Sequence, residues 1–76
     1  MRNDEITFEI VEHLGVLSDT GDWAKEVNLV SWNGQPPKMD IRSWNVDHER
    51  MTRGITLTEE EATTLAEALV HYYGNN

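Results

Sequence analysis

The chain has 76 residues, with 14 Asp and Glu against 6 Lys and Arg and no cysteine, so its formal net charge is −8. This length allows one small domain with a marginal core, and the lack of cysteine excludes disulfides and thiolate zinc sites. The first ten residues lack the basic and apolar regions of a signal peptide, and no apolar run approaches the roughly 20 residues that span a membrane. We therefore expect a cytoplasmic protein without membrane attachment, stabilised by pairing with a second copy.

Four segments predict β-strands, and the first two differ in their patterns. Over residues 6–18 apolar side chains alternate with polar ones, apart from Glu12, and Gly15 is a candidate bulge. Residues 19–22 (DTGD) are turn formers. Residues 23–32 carry apolar groups on both parities, so periodicity does not indicate which face of this strand is buried.

A second turn and two further strands follow. The segment NGQPP at 33–37 predicts a tight turn, because Asn-Gly favours positive φ and proline cannot donate to a strand ladder. The third strand is predicted at 38–45 and the fourth at 51–57, with a polar loop at 46–50 between them.

The last element is a helix over 58–73. Thr58 and Glu61 form a capping box, the glutamates of the first turn suit the helix dipole, and Gly74 is a natural stop. Four strands followed by one helix predict an α+β fold (ββββα), a single domain over residues 1–76 in which the helix covers one face of an antiparallel sheet. The other face is expected to stay open unless a partner covers it.

The basic and aromatic residues are concentrated in the middle of the chain. Residues 23–54 hold five of the six basic residues and all three tryptophans, and they carry a formal charge of +1. The flanking segments 1–22 and 55–76 carry −5 and −4. Because the local potential at a site matters more for binding than the total charge, the acidic composition does not exclude an anionic partner.

The third predicted strand places its cations on one face. Lys38, Arg42 and Trp44 share one parity, and Met39 and Ile41 share the other. If the apolar pair faces the helix, the cations and the indole face outward. Single-stranded nucleic acid needs aromatic surfaces for its bases and cations for its phosphates. The residues that could supply both are Trp32, Lys38, Arg42, Trp44 and Arg53.

Simpler explanations stay open for several of these residues. The same set could be ordinary cross-strand packing, with Trp44 over an arginine in a cation–π contact. Trp23 could close the core at the sheet edge. Asp47, His48 and Glu49 are consecutive and lack metal-site spacing, so we interpret them as a solvated loop. No nucleophile elbow or phosphate loop occurs, so we expect neither an enzyme nor a cofactor or small-molecule substrate.

Several motifs together resemble the positive cofactor four family of transcriptional coactivators. They are "DIRSW" at 40–44 and "RGITLTEEE" at 53–61. The resemblance is closer to the small bacterial YdbC-like members, through "VSWN" at 30–33, "PKMDIRSW" at 37–44 and "DHE" at 47–49. It covers roughly residues 6–70.

The resemblance implies a strongly curved four-stranded antiparallel sheet, one C-terminal helix, a homodimer and single-stranded DNA binding with little sequence preference. By position it implies stacking on Trp32 and Trp44 and phosphate contacts from Lys38, Arg42 and Arg53. Weaker assignments are Lys25, Asn28 and Trp23. Two departures concern affinity: the hairpin "NGQPPK" has one cation, and Glu26 lies near a position where eukaryotic members have lysine.

Some questions stay open from the sequence. RNA is an alternative strand, and the process served could be transcription regulation or DNA replication and repair. The regulatory tail of the eukaryotic members has no counterpart in the sequence, so the coactivator role is not expected to transfer. The alternative function is an acidic protein–protein interaction module that docks a partner through the Trp-bearing sheet face or the helix.

Overall fold

The computed structural model describes residues 6–74, which form four strands and one helix. The strands pair antiparallel in chain order, in one open, curved sheet. The predicted ββββα architecture is therefore confirmed. Its elements are β1 (Phe8–Asp19), β2 (Trp23–Trp32), β3 (Lys38–Asn45), β4 (Ile55–Leu57) and α1 (Glu59–Tyr73).

The turn at 33–37 and the start of the helix are formed as predicted. Asn33 and Gly34 both have positive φ, 51° and 76°, and the Gln35 N–H donates to the Trp32 carbonyl at 2.9 Å. At the start of α1, the Thr58 hydroxyl accepts from the Glu61 N–H at 3.1 Å, and the Glu61 carboxylate accepts from the Thr58 N–H at 2.9 Å. Turn and helix start are fixed by neighbouring residues, so they can be predicted from short segments.

The fourth strand is shorter than predicted. Of residues 51–57 only Ile55–Leu57 form a strand, while Met51 makes an isolated bridge to Trp44. Gly54 lies so close to β3 that a Cβ there would meet the Cβ of Arg42 and the carbonyl of Ile41. Regular pairing with β3 therefore begins only after this glycine.

Side chains of paired residues share one face of an antiparallel sheet, and successive residues alternate between faces. Among residues 6–74, the buried side chains are the apolar Val30 and Trp44 and the polar Glu26, Asn28 and Asp40. All five lie on the same face. We call it the concave face, and its members in the four strands are Phe8, Ile10, His13, Val16, Asp19, Ala24, Glu26, Asn28, Val30, Trp32, Lys38, Asp40, Arg42, Trp44 and Thr56.

The distances between three aromatic rings show that this face is strongly curved. Phe8 pairs with Trp32 at one end of β2, and Trp44 pairs with Ala24 near the other end. These two positions of β2 are separated by about 26 Å along an extended strand. The Phe8 ring centroid is nevertheless 5.9 Å from Trp32 and 5.1 Å from Trp44, so the two indoles are at most 11.0 Å apart. The sheet therefore bends strongly around these rings.

Helix α1 lies on the opposite, convex face, against β3 and β4. Leu29 and Met39 of the sheet and Ala62 and Ala66 of the helix line a common cavity. Within Glu59–Tyr73 no residue is buried, and the apolar side chains stay exposed, up to 79% for Tyr72. The core therefore lies on the concave face, where curvature and not a covering helix removes side chains from water.

Strand β1 is irregular. Its register with β2 shifts between Ile10 and Glu12, between His13 and Gly15, and between Val16 and Ser18. Each shift leaves one extra residue without a partner in the register, namely Val11, Leu14 and Leu17, and all three are exposed. The predicted bulge near Gly15 is thus one of three, and Leu14 has no partner in the register with β2.

Candidate functional site

Arg42 and Trp32 form a stacked pair on the concave face, although they lie on different strands. The Arg42 Cζ atom is 4.7 Å from the centroid of the Trp32 ring. Asp40 holds the guanidinium along its edge. Arg42 Nε donates to Asp40 Oδ1 at 2.7 Å, and Nη2 donates to Oδ2 at 2.9 Å. The Asp40 carboxylate is fully buried, and the Thr56 hydroxyl also donates to it at 2.9 Å. We call the Trp32, Arg42 and Asp40 arrangement the platform.

Arg53 lies close to the platform along the backbone. The carbonyl of Thr52 accepts from Arg42 Nη1 at 3.4 Å, and Gly54 packs on the Arg42 Cβ. Arg53, between these two residues, is exposed. Lys38, at the start of β3, is exposed too and shares the face and strand of Arg42. Arg53 is thus near Arg42, whereas Lys38 lies four residues before Arg42 on β3, about 13 Å along the strand.

Trp44 does not face outward as predicted. Its side chain has only 1% of its surface exposed, because it packs against Phe8 and against the His48 ring, whose centroid is 5.6 Å away. Its parity was predicted correctly, but the curved sheet and the loop that carries His48 close over it. A base therefore cannot stack on Trp44 in this conformation, and the indole supports the concave face from within.

Asn28 is also buried and acts inside the sheet. Its Nδ2 donates to Glu26 Oε1 at 3.0 Å, and its Oδ1 lies 2.7 Å from His13 Nδ1. Trp23 and Lys25 have the opposite parity on β2 and so belong to the convex side, where Lys25 is exposed and Trp23 is half-buried. The eight predicted site residues therefore do not form one surface.

Sequence reasoning missed a polar cluster around Glu26. His48 Nε2 lies 3.0 Å from both Glu26 carboxylate oxygens, and His13 Nδ1 lies 3.6 Å from Oε1. His48 is itself a loop residue, with a φ of 59°. Because its ring contacts Glu26, it is not only the solvated residue that we predicted. A signal existed, because Glu26 and Asn28 interrupt an otherwise apolar parity formed by Ala24, Val30 and Trp32.

Three further features of residues 6–74 bear on other kinds of site: metal-binding clusters, membrane-spanning helices and buried polar atoms. No group of three or more His, Cys, Asp or Glu side chains among residues 6–74 is placed to hold a metal ion. Helix α1 is neither long nor apolar enough to cross a membrane. The indole N–H groups of Trp32 and Trp44 are buried without a hydrogen-bond partner within the same residues.

Comparison of the sequence with known proteins identifies its family. Residues 20–68, more than half of the chain, match the family described as Transcriptional Coactivator p15 (PC4). The chain belongs to the PC4 family. A protein of Treponema pallidum (strain Nichols), described as an uncharacterized protein, is 41% identical over 68 residues, which cover 88% of this chain and 80% of that one.

The match to the PC4 family includes all eight site residues predicted from the sequence, and it runs from the turn before β2 into α1. The PC4 family is a nucleic-acid-binding, non-enzymatic family. Strand β1, with His13, lies outside the matched residues. The resemblance stated from the motifs is thereby confirmed at the level of the family.

Proposed function

We propose that this PC4-family chain binds single-stranded DNA with little sequence preference and that it groups with the YdbC-like bacterial members. Trp32 and the Arg42 guanidinium provide a flat surface for bases, and Lys38 and Arg53 contact phosphates. Stacking on such surfaces tolerates any base, because every base has a π-face. Trp44 and Asn28 support this surface from beneath, and Trp23 and Lys25 lie on the other side of the sheet.

The observation that carries the proposal is the fixed Arg42 guanidinium over Trp32. An arginine held by two hydrogen bonds to a buried carboxylate loses little freedom when a ligand stacks on it. Within residues 6–74 its Nη1 has only a long contact to the Thr52 carbonyl and one to the Met51 sulfur, so this nitrogen is the best placed to donate to a phosphate. Asp40 balances the charge of Arg42, so the exposed Lys38 and Arg53 supply the local positive charge on this chain of net charge −8.

The functional unit in this proposal is a homodimer. Its support is the apolar surface that α1 leaves exposed, since Leu65, Leu69, Val70, Tyr72 and Tyr73 remain uncovered by the sheet. Monomeric proteins rarely expose contiguous apolar patches of this kind. Sedimentation equilibrium of the full chain tests this part, with Leu69→Glu expected to shift the mass toward the monomer. A monomeric wild-type chain at micromolar concentration would contradict it.

The decisive experiment is a binding titration of the full chain with labelled oligo(dT), followed by anisotropy, with a duplex of equal length as comparison. Trp32→Ala is expected to weaken binding by about 1–3 kcal/mol, the usual contribution of one stacked base. Trp23→Ala is the matched control, because it removes the same ring from the other side of the same strand and should leave affinity unchanged.

Two results would contradict the proposal. The first is no binding of oligo(dT) by the wild-type chain at low salt, which would favour the acidic protein-interaction module instead. The second is an equal loss of affinity in Trp23→Ala and Trp32→Ala, with circular dichroism showing both folded, because the platform would then have no special role.

A further inference from the structure

A pocket on the concave face lies beside the platform. It has a volume of about 260 Å³ and is lined by Ile10, His13, Glu26, Asn28 and His48. A cavity of about 150 Å³ is enough to hold a benzene ring, so this pocket has room for one six-membered ring. Glu26 pairs with Arg42 across β2 and β3, so a strand bound at the platform passes directly next to the pocket.

The pocket has a buried polar floor and an open rim. The Glu26 side chain is 7% exposed, and Asn28 is fully buried. The two histidines form the rim, with 53% of the His13 side chain and 40% of the His48 side chain exposed. A ligand can therefore enter past the imidazoles and meet the carboxylate at the bottom.

The hydrogen bonds of the floor fix the direction of each group. A carboxylate only accepts, so Asn28 Nδ2 donates to Glu26 and the Asn28 carbonyl oxygen is turned toward His13. His13 Nδ1 must then be the donor of the 2.7 Å contact to that oxygen. By the same reasoning, His48 Nε2 donates to the Glu26 oxygens at 3.0 Å.

These assignments leave acceptors for a ligand. In neutral imidazoles the remaining nitrogens, Nε2 of His13 and Nδ1 of His48, carry lone pairs and no hydrogen. Among residues 6–74, Glu26 Oε2 accepts only from His48, which leaves it a second lone pair. A flat group with an N–H donor therefore complements the Glu26 carboxylate at the floor, whereas a carbonyl oxygen in the same place would meet the carboxylate with like polarity.

We infer that the pocket receives one nucleobase that carries an exocyclic amino group, with the Glu26 carboxylate accepting from that group. This inference rests on the proposed function, because the strand must first lie on the concave face. Acidic side chains accept from the cytosine amino group in the same way in known nucleic-acid complexes. The platform thus serves any base, and the pocket adds a preference at one nucleotide position.

The test compares two pyrimidine oligonucleotides whose bases differ only at C4 and at N3, where cytosine has a lone pair and uracil has an N–H. Oligo(dC) carries an amino group where oligo(dU) carries a carbonyl oxygen, and the two have the same ring size and backbone. Anisotropy titrations of the full chain at mildly alkaline pH should show roughly tenfold tighter binding of oligo(dC), the effect of one specific base contact. Glu26→Gln should bring the two affinities close together, since its amide would present a donor to the pocket.

Matched variants separate the pocket from general electrostatics. Glu60→Gln changes the net charge equally at an exposed helix position and should keep the oligo(dC) preference. If Glu26→Gln does not fold by circular dichroism, His13→Ala serves instead. It alters only the more exposed rim residue and should reduce the preference severalfold.

The outcomes separate strand binding from the base preference of the pocket. If neither oligonucleotide binds, the proposed function itself is overturned, and the pocket inference with it. If the wild-type chain binds both equally, strand binding stands and the pocket inference is overturned. The same conclusion follows if the folded Glu26→Gln or His13→Ala variant keeps the full preference, whereas loss of the preference in these variants alone supports the pocket.

Discussion

Asp40→Asn should weaken DNA binding even though it removes a negative charge. The substitution preserves the shape of the side chain but replaces one carboxylate oxygen by an amide nitrogen. Arg42 then keeps one of its two hydrogen bonds to residue 40 and meets an N–H at the other position. The guanidinium loses its fixed place over Trp32, so the platform is no longer formed in advance of binding.

The magnitudes decide the sign of this effect. Removing one negative charge about 10 Å from a phosphate in a water-like dielectric favours binding by about 0.4 kcal/mol. Loss of the ordered stacking surface costs about 1–3 kcal/mol for one base. Weaker binding should therefore be observed. The lost charge-assisted hydrogen bond lowers the free energy of unfolding by about 1.5–3 kcal/mol, so a folded fraction must be confirmed first.

Anisotropy titration with oligo(dT) measures the affinity, and urea denaturation at fixed protein concentration measures the stability. Asp47→Asn is the matched control, because it makes the same charge change in the exposed loop after β3. It should bind equally well or slightly more tightly. If folded Asp40→Asn bound as tightly as Asp47→Asn, the positioning of Arg42 by Asp40 would have no part in binding.

Four other substitutions test three further features of the structure. Trp44→Ala removes a buried ring and should lower the free energy of unfolding by about 3–5 kcal/mol, measured by urea denaturation. Gly54→Ala introduces a Cβ against the backbone of β3 and the Arg42 Cβ, so it should lower both the unfolding midpoint and the affinity for oligo(dT). Lys38→Ala and Arg53→Ala should each reduce the slope of log affinity against log salt by about 0.7, measured by titration at several salt concentrations.

For each of these features a specific result would contradict the prediction. A Trp44→Ala variant with wild-type stability and lost affinity would mean that Trp44 stacks on bases after all. A neutral Gly54→Ala would show that the close approach to β3 is relaxed in solution. An unchanged salt slope in Lys38→Ala would remove that residue from the set of phosphate contacts.

Much of the fold could be predicted because its signals are local. The turn at Asn33 and Gly34, the capping box at Thr58 and the bounds of β2 and β3 each depend on a few neighbouring residues. Assigning α1 to one face also followed from the element order. What the sequence did not indicate is that the helix leaves most of its apolar surface exposed and that the core forms on the other side.

The site was predicted less completely, because its geometry depends on the curvature of the sheet. Alternation correctly placed Arg42 and Trp44 on one face, but only the bend that brings Phe8 to both indoles buries Trp44. Likewise, His48 meets Glu26 across 22 positions of sequence, through a loop whose path no short pattern indicates. Long-range contacts of this kind decide which member of a face is accessible and which is packed.

The two edges of the sheet limit how copies of this chain can assemble. An edge strand exposes unpaired N–H and C=O groups that can pair with a strand of another molecule and extend the sheet without end. Here β1 is interrupted by three register shifts, and β4 is only 3 residues long. Neither offers the long, straight row of backbone groups that fibre growth requires. In the proposed homodimer, association would therefore use side-chain surfaces, which can close at a small, defined number of chains.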